Sequence, residues 1–252
     1  MNTLLLVIIG LLIGTIVILF GGGGAAIYLG ILTGVFGLPA AAAASTSLVT
    51  VLPSLLMGSW RYHRQGQLNV KIGNRILLAA LPAVVIGSLC SGLIPNYLFK
   101  WLIGLILVIL GISMLIQALH HPKAKNQDTP SHSHAGLKAT LYGVLGGLMV
   151  GVAGMSGGAV ILASLFLLGL NGFNATATST YVLTFMSAVG ALFHIAGGQV
   201  DWGVGLPLMI GAFFGAIIAP FLSARLAKTN LASSLKPIIG VFLIVLGIKS
   251  LF

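Results

Sequence analysis

Two short runs of hydroxyl side chains lie in otherwise apolar sequence, and a glycine cluster precedes each of them. The first run, Ser45-Thr46-Ser47, follows Gly21–Gly24 by about the length of one membrane-spanning helix. The second run, Thr178-Ser179-Thr180, follows Gly157-Gly158 at a similar distance. A helix that starts at a glycine turn presents free backbone N–H groups and the positive end of its dipole, so it binds oxyanions without a cationic side chain. Because hydroxyls add further donors, the pattern predicts a binding site for a small oxyanion.

The predicted site combines both clusters with three polar residues near helix ends. Gln67 and Gln199 are candidate gates, and His194, the one histidine near membrane depth, is a candidate proton relay. No catalytic residue, metal site or cofactor is predicted. The residues predicted to bind substrate are Gly22, Gly23, Gly24, Thr46, Ser47, Ser156, Gly157, Gly158, Thr178 and Ser179.

The composition is that of a membrane protein. Hydrophobic residues make up 58% of the 252 residues, charged residues make up 6%, and the mean hydropathy is +1.14. Uncharged apolar stretches of about 20 residues recur, and each could span the hydrocarbon core as a helix. Non-helical backbone at that depth occurs only where protein or water covers it, so the glycine clusters mark breaks that line a site. We predict an all-α polytopic membrane protein that is not an enzyme.

The chain divides into two homologous halves. Gly21–Ile27 matches Met155–Ile161, and Gly66-Gln67 matches Gly198-Gln199 at nearly the same separation along the chain. The predicted domains are a first transmembrane repeat over residues 1–119, a polar histidine-containing linker over 120–136 and a second repeat over 137–252. Each repeat is predicted to hold a glycine-broken hairpin and about three transmembrane helices.

The positions of the basic residues predict how the halves are oriented. A helix predicted over 40–60 ends at Trp60, and a basic loop over 61–75 separates it from a helix over 76–94. If each glycine-broken stretch is a hairpin, the loops at 61–75, 120–138 and 225–236 share one side and hold ten of the twelve Lys and Arg residues. A single crossing per stretch would give parallel halves and an eight-to-four split. Because positive charge concentrates on the cytoplasmic side, we predict inverted repeats with both termini outside.

Two other functions fit part of the sequence. A divalent-metal exporter could use nickel, cobalt or zinc ligands in the linker, although no acidic residue lies in a span to form a metal path. An intramembrane serine protease could use Ser156 with His194 as its base, because Gly154-Met155-Ser156-Gly157 resembles the Gly-x-Ser-Gly of rhomboid proteases. The first glycine cluster has no serine at the matching position, which disfavours the protease. The candidate metal ligands are His120, His121, Asp128, His132 and His134.

The layout of nearly the whole chain resembles the sulfite exporter TauE/SafE family of bacterial inner-membrane permeases. The resemblance rests on the glycine cluster early in each half, the Ala-Thr-Ser run after it and the stretch Tyr62–Gln67. It implies export or uptake of sulfur-containing or organic anions, such as sulfite, sulfoacetate or other sulfonates. Two features depart from the family pattern: Tyr28 and Ala163 stand near positions where a proline is common, and Ser156 interrupts the second glycine run.

The predicted location is the bacterial inner membrane, which the chain crosses several times. The predicted partners are a small anionic substrate and the lipid bilayer, with association into a homo-oligomer left open. The net charge of +10 does not predict binding to nucleic acid, because the basic residues lie in short loops between spans and not on one soluble face.

Overall fold

The computed structural model is helical throughout the parts of the chain that it describes, which are residues 3–19, 24–91, 93–119, 132–155, 157–170, 172–226 and 240–249. These residues contain ten helices and no strand. In chain order the helices are α1 (Thr3–Leu19), α2 (Ala25–Gly34), α3 (Ala40–Arg64), α4 (Val70–Ser91), α5 (Asn96–Leu119), α6 (His132–Ala153), α7 (Gly158–Leu167), α8 (Gly172–Ala196), α9 (Trp202–Leu226) and α10 (Gly240–Lys249).

Among the described residues, four stretches are long and apolar enough to cross a membrane. They lie in α3, α4, α8 and α9, over Ala40–Arg64, Val70–Ser91, Asn174–Ala196 and Trp202–Ala219. Large apolar side chains point away from the protein along these helices, as Leu78 (78% exposed) and Leu192 (66% exposed) illustrate. Such surface suits contact with lipid tails. The prediction of an all-α polytopic membrane protein is therefore confirmed.

The loop predicted over residues 61–75 is much shorter than expected. α3 continues past Trp60 to Arg64, and α4 begins at residue 70 and not at 76. The Arg64 guanidinium lies 4.7 Å from the centre of the Trp60 ring, and basic side chains favour the negative end of a helix. Asn69 starts α4 as its N-cap, because its Oδ1 accepts the N–H of Ile72 (3.1 Å).

The connection after α8 repeats the geometry of the connection after α3. Gly66 and Gly198 both have φ of +66°, in the left-handed region that favours glycine. Asp201 caps α9 as Asn69 caps α4, since its Oδ1 accepts the N–H of Val204 (3.2 Å). The two connections therefore share local backbone geometry as well as sequence.

Equivalent helices of the two halves lie beside each other and run antiparallel. Near the middle of the α3–α8 pair, the Thr184 hydroxyl donates to the Leu55 carbonyl (3.1 Å). Beyond the end of α3, residue 69 contacts Thr178, which lies near the start of α8. The α5–α10 pair shows the same direction, because residue 111 approaches 240 while residue 104 approaches 247.

Glycines bring the remaining long helices together, with one partner from each half. α1 runs parallel to α9, where Gly10 and Gly14 face residues 208 and 212. α6 runs parallel to α4, where Gly147 faces Ala80. A Cβ at Gly10, Gly14 or Gly147 would overlap a facing backbone carbonyl oxygen. Small residues at such positions let the backbones of membrane helices approach closely, so the two halves interlock.

Both glycine-broken stretches fold back on themselves. The Tyr28 hydroxyl in α2 donates to the Gly10 carbonyl in α1 (3.1 Å). In the second half, Ile161 of α7 lies against Gly146 of α6. The break predicted at residues 21–24 falls in the interval between α1 and α2, of which the structure describes Gly24.

Candidate functional site

The two hydroxyl runs are buried towards opposite ends of the antiparallel α3–α8 pair. We call residues 43–55 of α3 together with residues 175–187 of α8 the α3–α8 seam. Ten hydroxyl residues of the seam are each no more than 4% exposed. Hydroxyls at such depth are costly unless they are hydrogen-bonded. They are Ser45, Thr46, Ser47, Thr50 and Ser54 from α3, with Thr178, Ser179, Thr180, Thr184 and Ser187 from α8.

Thr46 and Thr178, equivalent residues of the two halves, each accept a hydrogen bond from the opposite half. The backbone N–H of Asp201 donates to Thr46 Oγ1 (2.9 Å), and that of Asn69 donates to Thr178 Oγ1 (3.1 Å). In both bonds the hydroxyl oxygen is the acceptor. Within the described residues neither hydroxyl proton has an acceptor of its own. Both predicted site residues can therefore donate to a ligand.

A buried polar group at one end of the seam joins α3, α6 and α8. The side chain of His194 is 3% exposed, with Nε2 at 3.0 Å from the Gly151 carbonyl oxygen and Nδ1 at 2.8 Å from Ser45 Oγ. A carbonyl oxygen can only accept, so Nε2 carries the proton and Nδ1 accepts from Ser45. Gln199 Oε1 lies 3.3 Å from the same Ser45 oxygen. We call Ser45, His194 and Gln199 the histidine cluster.

The second glycine break lies directly against this part of α3. Gly154 has φ of +61°, and a Cβ there would overlap backbone atoms of Ala44, so the position requires glycine. The Ser47 hydroxyl donates to the Gly154 carbonyl (2.8 Å). Gly157 and Gly158 are the N-cap and first residue of α7. The first N–H groups of a helix have no acceptor inside it.

The two glycine breaks lie at opposite ends of α3, and not around one point as the sequence suggested. Ile18, near the end of α1, packs against Gly58, whereas Gly154 packs against Ala44. The helix between Ala44 and Gly58 is about 21 Å long at its usual rise per residue. Gly24, the N-cap of α2, belongs to the break at the Gly58 end of α3. The remaining predicted site residues, Gly22, Gly23 and Ser156, lie outside the described residues.

The position equivalent to the histidine cluster has different chemistry. When the halves are aligned so that Gly66 matches Gly198, the counterparts of Ser45, His194 and Gln199 are Ala177, Tyr62 and Gln67. Ala177 has no hydroxyl, and the buried Oε1 of Gln67 has no hydrogen-bond partner in the described part of the chain. The two candidate gates thus occupy matching positions, but only Gln199 has a side-chain partner there.

The serines that follow the two threonines also differ. The Ser47 hydroxyl is engaged by the carbonyls of Ala44 and Gly154. Its counterpart Ser179 is fully buried, and among the described residues its hydroxyl has no partner. Of the two predicted donors, Ser179 is the one that is free to bind a ligand.

Four residues that hold this arrangement were absent from the predicted site. Asn69 and Asp201 directly continue the matched segments at the same spacing, and both residue types favour N-caps, so their role could have been found. Ser45 belongs to the first hydroxyl run, but nothing in the run separates it from its neighbours. Gly154 precedes the matched glycines, and its left-handed conformation has no sequence signature.

The two alternative functions gain no support from the described side chains. These include no group of three or more potential metal ligands, while linker residues 120–131 lie outside them. His132 and His134 fall in the first turn of α6. The protease hypothesis requires a free nitrogen on His194, but both ring nitrogens are already engaged.

A family model described as "Sulfite exporter TauE/SafE" matches residues 6–250. The chain belongs to the TauE/SafE family. Similar relatives include the probable membrane transporter proteins YdhB and YunE of Bacillus subtilis (strain 168). YdhB is 26% identical over 92% of this chain and 95% of its own length, and YunE is 24% identical over 100% and 98%. YfcA of Escherichia coli (strain K12), also named a probable membrane transporter protein, is 27% identical over 66% of this chain and 61% of its own. No solved structure matches the chain with significance.

As a member of the TauE/SafE family, this protein is a multi-pass membrane transporter and not an enzyme, as the sequence predicted. The resemblance inferred from the glycine clusters and hydroxyl runs is confirmed over nearly the whole chain. The relatives' names give a transport role without a substrate.

Proposed function

We propose that this TauE/SafE protein moves a small oxyanion along the α3–α8 seam and across the bacterial inner membrane. The favoured substrates are sulfur-containing, such as sulfite or an organosulfonate like sulfoacetate. The observation that carries the proposal is the pair of equivalent threonines, Thr46 and Thr178, whose hydroxyl protons are free at opposite ends of the seam. Uncharged donors with no carboxylate among the seam residues suit an anion and not a metal cation.

The proposal places the repeats over 1–119 and 137–252 in inverted orientation. The antiparallel pairing of α3 with α8 and of α5 with α10 supports this, because equivalent helices then cross the membrane in opposite directions. The charges agree: Arg61, Arg64 and Lys71 lie where α3 ends and α4 begins, whereas Asp201 lies at the opposite end of the seam. By the positive-inside rule the basic end is cytoplasmic, and both termini are outside.

The two half-sites open in turn in this mechanism. Both threonines are fully buried and both threonine–backbone hydrogen bonds are formed, so neither end of the seam is open. Separating α3 from the α8–α9 connection frees the Asp201 N–H and exposes the Thr46 hydroxyl together. An entering anion accepts from both donors and so replaces the bond that it breaks. The same exchange at Thr178 and Asn69 serves the other side of the membrane.

Ligand-dependent thermal unfolding of the purified protein in detergent tests the substrate class. The panel is sulfite, sulfate, thiosulfate, sulfoacetate, taurine and acetate, with nickel and zinc as controls. A sulfur oxyanion that binds only the folded state is expected to raise Tm saturably by mass action. Stabilisation by a metal alone would reject the anion site and favour the metal exporter.

Threonine-to-valine substitutions then locate the site with the stabilising anion as ligand. A hydrogen bond to a charged group contributes about 1.5–3 kcal/mol, so Thr46→Val and Thr178→Val are each expected to weaken anion binding about ten- to a hundredfold. Thr33→Val is the matched control, because the Thr33 hydroxyl bonds only within α2. Equal affinities for all three variants would contradict the assignment of the two threonines.

A further inference from the structure

The histidine cluster can accept a proton without losing a hydrogen bond. In the neutral state Ser45 donates to Nδ1 of His194. When Nδ1 is protonated it becomes a donor, and the same 2.8 Å contact persists with Ser45 Oγ as acceptor. The Ser45 proton then has two other acceptors within reach, the Ala41 carbonyl at 2.9 Å and Gln199 Oε1 at 3.3 Å. The bond from Nε2 to the Gly151 carbonyl is unchanged.

The ionisable groups around the histidine cluster allow a bound anion to act as the counter-charge of a protonated His194. Asp201, in the connection from α8 to α9, is the one acidic residue in the described part of the chain, and it lies next to the half-site at Thr46. On α4 and α6, the titratable groups at mid-helix or towards the histidine cluster are Cys90, near the end of α4, and Tyr142 of α6. Helix α7 has no titratable group. The basic side chains at the far ends of α3 and α4 are Arg61, His63, Arg64, Lys71 and Arg75.

The matching position in the other half cannot accept a proton in this way. Tyr62 stands in place of His194, and a phenol does not exchange its proton near neutral pH, whereas an imidazole does. Ala177 stands in place of Ser45 and offers no hydroxyl to reverse. Of these two matched positions, only the one that His194 occupies therefore exchanges a proton near neutral pH.

We propose that His194 binds a proton that crosses the membrane together with the anion. The proton adds to Nδ1, the imidazolium stabilises an oxyanion at the neighbouring Thr46 half-site, and the anion in turn favours the protonated ring. This coupling is reciprocal, since each ligand raises the affinity for the other by the same factor. The coupling rests on the proposed anion transport, but proton binding by His194 does not.

Proton binding is tested without a substrate by thermal unfolding between about pH 5 and pH 8. The proteins are wild type, His194→Gln and His63→Gln, of which the last removes an exposed histidine as a matched control. If the folded chain binds the proton at His194, wild type is expected to gain stability relative to His194→Gln as the pH falls, by about 3 °C for each pH unit by which the histidine pKa of the folded chain exceeds that of the unfolded chain. The difference between wild type and His63→Gln gives the effect of losing an exposed histidine, against which the effect at His194 is compared. Parallel curves, or a wild type that loses stability relative to His194→Gln as the pH falls, would overturn the proposal.

Coupling is tested in proteoliposomes with the anion that the thermal panel identifies. An imposed pH gradient is expected to drive anion accumulation by wild type and by His63→Gln, but not by His194→Gln. Accumulation by His194→Gln at the wild-type rate would refute coupling. If wild type moves no anion, the transport proposal fails while the pH-dependent Tm difference still decides proton binding. If His194→Gln does not fold, Ser45→Ala replaces it and is expected to shift the pH midpoint of wild-type accumulation.

Discussion

Gly154→Ala tests whether the second glycine break must touch α3. The Cβ of alanine would overlap the Ala44 carbonyl oxygen. A normal contact needs the two backbones to move apart by about 1 Å. That movement would stretch the 2.8 Å bond from the Ser47 hydroxyl to the Gly154 carbonyl until it no longer forms.

The magnitude follows from three contributions. Alanine in the left-handed region costs about 1–2 kcal/mol. Forcing the break away from α3 costs about 1–3 kcal/mol, and the lost hydrogen bond adds about 0.6–1.5 kcal/mol. Gly37→Ala is the matched control, because Gly37 has φ of +65° and a Cβ there would meet nothing within 4 Å. It should show the conformational cost alone.

The assay is thermal unfolding of both variants in the same detergent, followed by anion flux at equal protein amounts. The displacement of the break and the lost hydrogen bond together cost about 2–4 kcal/mol beyond the conformational cost. Gly154→Ala is therefore expected to unfold at least about 4 °C below Gly37→Ala. Anion flux through Gly154→Ala should also be lower than anion flux through Gly37→Ala. Equal Tm values for the two variants would refute the inference that the break is held against α3.

Two further outcomes are expected. Asp201→Ala should lower the free energy of unfolding by about 1 kcal/mol because the N–H of Val204 loses its cap, whereas Asp201→Asn keeps the accepting oxygen and should unfold near wild type; thermal unfolding distinguishes them. Cys90, an exposed cysteine near the end of α4, should react with a membrane-impermeant thiol reagent in intact cells. Gln65→Cys in a Cys90→Ala background should react only after permeabilisation, and labelling of both in intact cells would contradict the inverted orientation.

Most of the fold could be predicted because hydrophobic length dictates it. An apolar stretch of about 20 residues has few alternatives to a membrane helix, and the glycine cluster at Gly157-Gly158 falls at the break between α6 and α7. Boundaries set by local hydrogen bonds were harder to predict. α4 starts earlier than expected because Asn69 caps it, and α3 runs past Trp60 because Arg64 stacks on that ring.

The candidate site was predicted in part, for reasons that lie in its geometry. Thr46 and Thr178 could be found because repetition in the sequence singles them out. The partner of each threonine could not be found, since it is a backbone N–H group that any residue could supply. The pairing of Ser45 with His194 joins positions far apart in the chain, and hydropathy carries no information about contacts of that kind.

The two halves have matching residues where a backbone turn requires them and different side chains at other matched positions. Gly66 and Gly198 share a left-handed conformation, and an N-cap follows each of them at the same spacing. His194 and Tyr62 occupy matching positions near the ends of α8 and α3 but have different partners, Gly151 and Ser45 for the histidine and Ile18 for the tyrosine. A carrier whose two ends open by the same hinge needs matched backbones, but a carrier that couples to protons needs an ionisable group at only one end. The proposed proton site therefore depends on a side chain that differs between the halves and not on their shared backbone geometry.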